Sequence, residues 1–126
     1  MEIIGLGTDI VEIQRIRNVL DSHGKHFTER TFTQAERAAA ESRKESVTFY
    51  AGRWAAKEAA AKALGCGIGK DCALNEIEII NTPCGAPAMT FSGNAEKFAA
   101  EAGVKDIKIS ISHETNYAVA TVILCG

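Results

Sequence analysis

The chain has 126 residues, of which 46% are hydrophobic and 24% charged, and its formal net charge at pH 7 is −2. This length suits a single domain, residues 1–126, which is large enough for a core of its own but small for a deep cleft within one subunit, so a site between subunits is a reasonable expectation. The small negative charge argues against a generic nucleic-acid binder. No apolar run reaches the about 18 residues of a membrane helix, and Glu2 stands where an export signal needs basic residues, so we expect a cytoplasmic protein without a membrane partner.

The four cysteines show neither Cys-x-x-Cys spacing nor the density of a disulfide framework. Reduced thiols, typical of a cytosolic protein, are therefore expected, and no functional role is assigned to them.

The chain opens with an apolar, β-branched run, Ile3–Val11, which predicts a strand. Glycine inside a strand usually marks a bulge or the close approach of another backbone, and this run contains Gly5 and Gly7. It also contains Asp9, a carboxylate that needs a compensating partner among apolar neighbours. Alternatively, Asp9 and Glu12 have the spacing of a capping box for the helix that follows.

That first helix is outlined by apolar residues at helical spacing, beginning at Ile13. Thr33 and Glu36 predict a capping box for a second helix, which runs from Gln34 to about Ser42. A long third helix is predicted from about Ser46 to Leu64, because Gly65 stands in the usual stop position.

The second half of the chain predicts short strands and one helix, with Asn94 as its cap and Gly103 as its end. The last two strands should form an antiparallel pair. We therefore expect an α+β fold, a single compact domain in which an antiparallel sheet packs on the long central helix. The predicted ranges are strands 76–80 and 87–91, a helix 94–102, and strands 107–113 and 117–124.

The long helix carries an acid and an amine, Glu58 and Lys62, four positions apart. Four steps along a helix leave side chains about 40° apart around its axis, so both heads share one stripe. An ordinary stabilising helix pair would show the same spacing. The opposite side of the helix consists of small residues that allow very close packing, which predicts an interior helix. These residues are Ala56, Ala59, Ala60 and Ala63.

If Asp9 and Glu58 meet in space, two partly desolvated carboxylates repel each other unless one is protonated or a cation lies between them. Mg²⁺ is the economical cation, because it uses one or two protein carboxylates and fills its remaining positions with water and phosphate oxygens. Lys62 would then contact a phosphate.

Three segments together resemble the holo-acyl-carrier-protein synthases, the small bacterial branch of the 4′-phosphopantetheinyl transferases. They are Gly5–Ile13, with the sequence Gly-Leu-Gly-Thr-Asp-Ile-Val-Glu-Ile, the helix Arg53–Gly65, and Ser110–His113. The resemblance runs from about Ile3 to Ile123. It implies the fold of that family and transfer of the phosphopantetheine arm of coenzyme A to a serine of acyl carrier protein. It also implies homotrimers that share their sites between neighbours.

The same resemblance implies roles for individual residues. Asp9, Glu58 and Lys62 are the expected catalytic residues, with Asp9 and Glu58 holding Mg²⁺. Glu58, or a water held by it, is the expected acceptor of the serine proton. For coenzyme A, we expect contacts from Lys62, from His113, and from Gly85 and Pro87 in a loop at the adenine. Arg43, Lys44 and Arg53 are the candidates for the remaining phosphate charge, although a more basic run is expected where this chain has Glu45 and Ser46.

Two arginines of the first helix, Arg15 and Arg17, form a local basic patch beside its apolar stripe. Solvated side chains are one interpretation of this pair. The resemblance instead implies that a basic residue here docks the acidic helix of the carrier protein through a salt-sensitive contact.

Two other classes of function fit parts of this pattern. A non-catalytic coenzyme A or nucleotide-binding module would bind the ligand without transfer. A structural oligomerisation domain would use the alanine-rich face for contact and the Glu58–Lys62 pair only as an ion pair.

Overall fold

The computed structural model describes residues 1–126, and its elements follow the predicted order. No helix in it combines the length and apolar character that crossing a bilayer requires. The strands are β1 (Ile3–Glu12), β2 (Ile77–Asn81), β3 (Pro87–Phe91), β4 (Asp106–His113) and β5 (Tyr117–Cys125), and the helices are α1 (Ile13–Thr31), α2 (Gln34–Glu41), α3 (Val47–Leu64) and α4 (Gly93–Glu101). A short 3₁₀ turn, Leu74–Glu76, precedes β2.

The strands form two antiparallel sheets rather than one. In the larger sheet β5 lies between β1 and β4, with Asp9 opposite Ala120 and His113 opposite Ala118. The smaller sheet pairs β2 with β3. The α+β prediction is confirmed, and the antiparallel pairing of β4 with β5 is confirmed with it.

Strand β1 lies directly against helix α3. A Cβ atom built on Gly5 would collide with the carbonyl oxygen of Ala63, and one built on Gly7 would collide with that of Ala59. Only residues without side chains allow two backbones to approach so closely. The predicted close approach is therefore confirmed, and the other backbone belongs to α3.

Helix α3 is the centre of the core. Its alanines are buried, as the sequence predicts, and they pack with the inward-facing residues of β5. Because small side chains line the helix, strand and helix meet at short range along much of their length. The inward-facing β5 residues are Ala118, Ala120, Val122 and Leu124.

The ends of the helices follow the sequence signals in two places. Thr33 and Glu36 form the predicted capping box of α2, and α3 ends at Gly65, whose φ is 86°. A positive φ of this size is the usual reason for glycine at a helix end.

Two predicted caps are wrong. Asp9 lies within β1, and α1 begins after Glu12 without any side-chain cap, so Asp9 and Glu12 form no capping box. The N-cap residue of α4 is Ser92, two residues before the predicted one, and the side chain of Asn94 instead donates to the carbonyl oxygen of Lys70. In both places the polar side chain makes a contact with another element of the fold and so does not cap its own helix.

A buried ion pair joins α2, α3 and the start of β2. The Lys57 ammonium lies 2.7 Å from the Glu36 carboxylate, and both side chains are fully buried. Lys57 also donates to the carbonyl oxygens of Leu74 and Ile77, while Glu36 accepts from the backbone N–H of Ile79. Every charged group here is hydrogen-bonded, which is what burial of charge requires.

Candidate functional site

Asp9 and Lys62 meet where β1 crosses α3. Asp9 is on the inward face of β1, and the Lys62 ammonium lies 3.0 Å from its Oδ1. The same ammonium donates to the carbonyl oxygen of Thr8 at 3.0 Å. No ion pair joins Lys62 to Glu58, so the helix-pair interpretation of these two residues is wrong.

Glu58 lies one turn before Lys62 and is half-buried. Burial raises the pKa of the Glu58 carboxyl, and the charge of Asp9 raises it further, whereas Lys62 and Arg15 lower it. The two carboxylates are therefore close enough to repel each other. The structure thus brings Asp9, Glu58 and Lys62 together at one place.

One oxygen of Asp9 has no partner. Asp9 Oδ2 is buried and accepts no hydrogen bond, although Oδ1 is paired with Lys62. An unsatisfied carboxylate oxygen beside a second carboxylate is a costly arrangement that a hard cation would relieve. No group of three or more potential metal ligands occurs in the structure. The residues present fit Mg²⁺, which needs only one or two protein carboxylates.

Arg15 borders this acid pair. Its guanidinium lies over the Trp54 ring, 5.6 Å from the ring centre, and its charge lowers the pKa of Glu58. Arg15 remains exposed to solvent. Arg17 is also exposed and lies at a separate shallow depression beside Asn116 and Tyr117.

A cavity of about 480 Å³ lies at the N-terminal half of α3. Its polar walls come from α3, from the end of β4 and from the loop between β2 and β3. Five of the residues predicted to contact coenzyme A line it. They are Arg43, Arg53, Gly85, Pro87 and His113.

Two guanidinium groups flank one aromatic ring in this cavity. Arg43 and Arg53 lie 4.4 Å and 4.2 Å from the centre of the Phe49 ring. Arg53 donates through Nη2 to Asn81 Oδ1 at 2.9 Å, while its buried Nε has no partner. Burial lowers the pKa of Arg53, and the nearby charge of Arg43 lowers it further, although the charge of Glu36 opposes both. The cavity therefore holds two fixed cations with an unused donor, which favours an anionic ligand.

Two of the residues predicted for coenzyme A do not line this cavity. Lys44 is exposed and lies outside it, and Lys62 lies with the acid pair instead. The cavity is also lined by residues that the sequence did not single out, among them Thr48, Phe49 and Asn81. The i, i+4 spacing of Phe49 and Arg53 could have predicted their contact. No local signal identifies Asn81, because its partner is 28 positions away.

The largest cavity, about 770 Å³, lies elsewhere, between β3, α4 and β4. Of the predicted site residues only Pro87 reaches it. The volume of a cavity therefore does not identify the site in this protein. The charged side chains that line the smaller cavity identify it better.

Comparisons with known proteins agree with this geometry. Residues 5–122 match the sequence model of the 4′-phosphopantetheinyl transferase superfamily. This chain belongs to that superfamily. Holo-[acyl-carrier-protein] synthase of Pectobacterium carotovorum is 43% identical over 124 residues, which are 98% of each chain. The predicted resemblance is confirmed.

Solved structures of the superfamily have the same fold. The holo-[acyl-carrier-protein] synthase of Neisseria meningitidis superposes with a TM-score of 0.93 at 32% identity, covering 99% of this chain and 100% of that one. The Helicobacter pylori holo-[acyl-carrier-protein] synthase, solved in complex with coenzyme A, gives a TM-score of 0.83 at 32% identity, covering 95% and 99%. As a superfamily member of this similarity, the chain is an enzyme, a phosphopantetheinyl transferase.

Proposed function

We propose that this chain transfers the 4′-phosphopantetheine arm of coenzyme A to a serine hydroxyl of apo acyl carrier protein and releases adenosine 3′,5′-bisphosphate. The single observation that carries the proposal is the convergence of Asp9, Glu58 and Lys62 in a chain that matches the superfamily over residues 5–122. The relatives named above are holo-[acyl-carrier-protein] synthases, and one of them was solved with coenzyme A.

Coenzyme A would place its nucleotide in the 480 Å³ cavity. Arg43 and Arg53 are the cations for its phosphate groups, and His113 lines the same cavity. Gly85 and Pro87 belong to the loop that would border the adenine. Lys44, which lies outside the cavity, is at most a peripheral contact.

Asp9 and Glu58 would hold Mg²⁺, which supplies compensation for the negative charge that develops on the departing phosphate. Lys62 places a second positive charge beside the reacting phosphorus, which the serine oxygen attacks in line with the leaving group. Glu58 is the candidate acceptor of the serine proton.

Acyl carrier protein would dock against the face that carries Arg15 and Arg17. Arg15 supports this assignment because it is exposed and borders Glu58, which is where the carrier serine must arrive. A basic surface would complement an acidic helix of the carrier.

A homotrimer with shared sites would bring the nucleotide cavity of one protomer next to the Asp9–Glu58 pair of another. Arg53 and Glu58 are five positions apart on α3 and so point about 140° away from each other around the axis. The nucleotide cavity and the acid pair therefore face different sides of one protomer. A neighbouring protomer could supply the missing half through the outer face of the larger sheet, where Leu6 and Ile10 are 65% and 63% exposed.

The cytoplasm is the proposed location. All four cysteines are free thiols in the structure, which is the usual state in a reducing compartment.

The proposal is tested by mass spectrometry of apo acyl carrier protein after incubation with the enzyme, coenzyme A and MgCl₂. The carrier should gain the mass of one phosphopantetheine arm, about 340 Da. Binding of coenzyme A without this gain would reject the transferase and support a binding module. Absence of both would support a structural domain.

Variants locate the chemistry. Asp9→Ala and Glu58→Ala should each lower kcat by about a thousandfold or more without unfolding the protein, because each removes half of the carboxylate pair. Asp106→Ala is the control variant, because it removes a partly exposed acid on β4 that lies outside the site. Full magnesium-dependent activity in either site variant would remove that residue from the mechanism.

A further inference from the structure

Glu45 is an acid inside an otherwise cationic cavity. It lines the 480 Å³ cavity together with Arg43 and Arg53. Its carboxylate accepts hydrogen bonds from the backbone N–H of Thr48 at 3.1 Å and 3.3 Å through its two oxygens. The N-cap residue of α3, Ser46, makes no side-chain cap bond. Glu45 therefore takes the capping role at the start of α3.

The contacts of Glu45 keep it ionised. Burial by itself would raise the pKa of the carboxyl, but hydrogen bonds from Thr48 and Val47 and the charge of Arg17 lower it below its usual range. Its carboxylate also accepts from the backbone N–H of Thr48, and at a free helix N-terminus such an N–H would be available to bind an anion.

The cavity retains an independent feature of an anion site. Arg53 is only 7% exposed, and its Nε has no hydrogen-bond partner. An anion that enters the cavity would find this donor and two guanidinium groups, and Glu45 is the one acid that lines the same cavity. Glu45 therefore reduces the positive charge available to the ligand.

We infer that Glu45 repels the 3′-phosphate of coenzyme A. This repulsion lowers the preference of the enzyme for coenzyme A over dephospho-coenzyme A, which lacks that phosphate. This inference rests on the proposed function. The diphosphate must reach Asp9 and Glu58, on a different side of α3, so the 3′-phosphate is the anionic group left for the cavity. A dianion in the same cavity is repelled by the Glu45 charge more strongly than a monoanion would be, because the Coulomb energy is proportional to the product of the charges.

The test compares kcat/KM for coenzyme A and for dephospho-coenzyme A in the wild type, in Glu45→Gln and in Glu41→Gln. Glutamine removes the charge but keeps an oxygen that can accept from the Thr48 N–H, so the helix cap is preserved. Glu41→Gln makes the same charge change four residues earlier, at an exposed position outside the cavity.

In Glu45→Gln, the kcat/KM for coenzyme A divided by that for dephospho-coenzyme A should rise by about tenfold relative to the wild type. Added salt should make this increase smaller, because it screens the charge of Glu45. Glu41→Gln should leave the ratio at the wild-type value. An unchanged ratio in Glu45→Gln, or an equal gain for both substrates, overturns the inference while the proposed function stands. Failure of the wild type to convert either substrate overturns the proposed function and this inference with it.

Calorimetry gives a readout that does not depend on turnover. Adenosine 3′,5′-bisphosphate should bind Glu45→Gln more tightly than it binds the wild type, relative to 5′-AMP. If thermal unfolding shows that glutamine destabilises the helix start, Glu45→Ala with Ser46 as the remaining cap residue repeats the comparison. Equal effects on the two nucleotides in both variants would overturn the inference.

Discussion

Glu58 shares its surroundings with a second carboxylate that already has one unsatisfied oxygen. Its charge is therefore costly in the metal-free protein, and this cost is what a cation would relieve. The consequence is a dependence on pH that can be measured without any carrier protein.

Magnesium affinity should fall as the pH is lowered, because a protonated Glu58 must lose its proton before the metal binds. Since the pKa of Glu58 is raised, this fall should begin at a pH above the usual titration range of glutamate. Calorimetry between about pH 5 and about pH 8 measures this fall. Lys62→Met should move it to higher pH, since the charge of Lys62 lowers the pKa of Glu58. Lys105→Met, an exposed lysine, is the control. An affinity that is constant across the range would contradict the assignment of Glu58 as a ligand.

The same shift has a defined effect on stability. Because the folded-state pKa of Glu58 is raised, the folded protein binds more protons than the unfolded chain just above the usual glutamate range. The metal-free protein should therefore lose a little stability as pH rises through this window, and Mg²⁺ should offset the loss.

Arg15 provides a test of carrier docking. Arg15→Glu should raise KM for acyl carrier protein by about tenfold, because it places a negative charge where an acidic helix would dock, and should change KM for coenzyme A far less. Steady-state kinetics at two salt concentrations measure both values. Arg30→Glu reverses a charge fifteen residues later, beyond the kink that Gly24 makes in α1, and should leave both values unchanged. An unaltered KM for the carrier in Arg15→Glu would reject the docking assignment.

At the scale of elements, the Lys57–Glu36 pair fixes α3 against α2 and the start of β2. The sequence did not single out Lys57, although it is the neighbour of Glu58. Lysine and glutamate are rarely buried, so composition alone places both at the surface. Only the packing of three elements around them reveals the pair.

Lys57→Met should lower the free energy of unfolding by about 3–5 kcal/mol, because it leaves the buried Glu36 carboxylate without its counter-charge. Denaturant unfolding measures the loss. Lys57→Met combined with Glu36→Leu should recover part of it, since no unpaired charge then remains. Lys108→Met breaks a surface pair with Asp106, in which the two side chains are 68% and 37% exposed, and should leave stability unchanged within error. A loss in Lys57→Met no larger than in this control would contradict the role of the pair.

The larger elements were predictable from local signals. The capping box at Thr33 and the stop at Gly65 define the ends of α2 and α3, and alternation defines β4 and β5. The errors at Asp9 and Asn94 have a common cause. Each residue can serve locally as a cap, but each finds a partner in another element, and sequence spacing does not show such partners.

At the scale of the whole molecule, the larger sheet has α3 on one side only. Its other side carries apolar side chains that are exposed in a single protomer, among them Leu6, Ile10 and Tyr117. An apolar sheet face of this kind is typical of a subunit interface.

Ile10→Glu should convert the proposed trimer of 13.5 kDa protomers to monomers and abolish transfer at the same time, because each site would need two protomers. Light scattering after size-exclusion chromatography measures the mass. Ile68→Glu makes the same substitution at an exposed position in the connector after α3 and should affect neither mass nor activity. A wild type that is active as a monomer would reject the shared site.

The order and type of the elements and the interior position of α3 could be predicted from the sequence alone. They depend on hydrogen bonds and burial patterns that repeat within a few residues, so the local spacing of side chains is enough to predict them. The family was predicted differently, from the resemblance of three segments to its members.

The pairing of charged groups, in contrast, follows from contacts between segments far apart in the chain. Lys62 pairs with Asp9, 53 positions away, rather than with Glu58 on its own helix, and Arg53 reaches Asn81 across 28 positions. The physical reason is the close contact of β1 with α3, which Gly5 and Gly7 permit and which brings the Asp9 carboxylate within reach of the helix. Distances between segments far apart in the chain depend on such packing, and no local pattern encodes them.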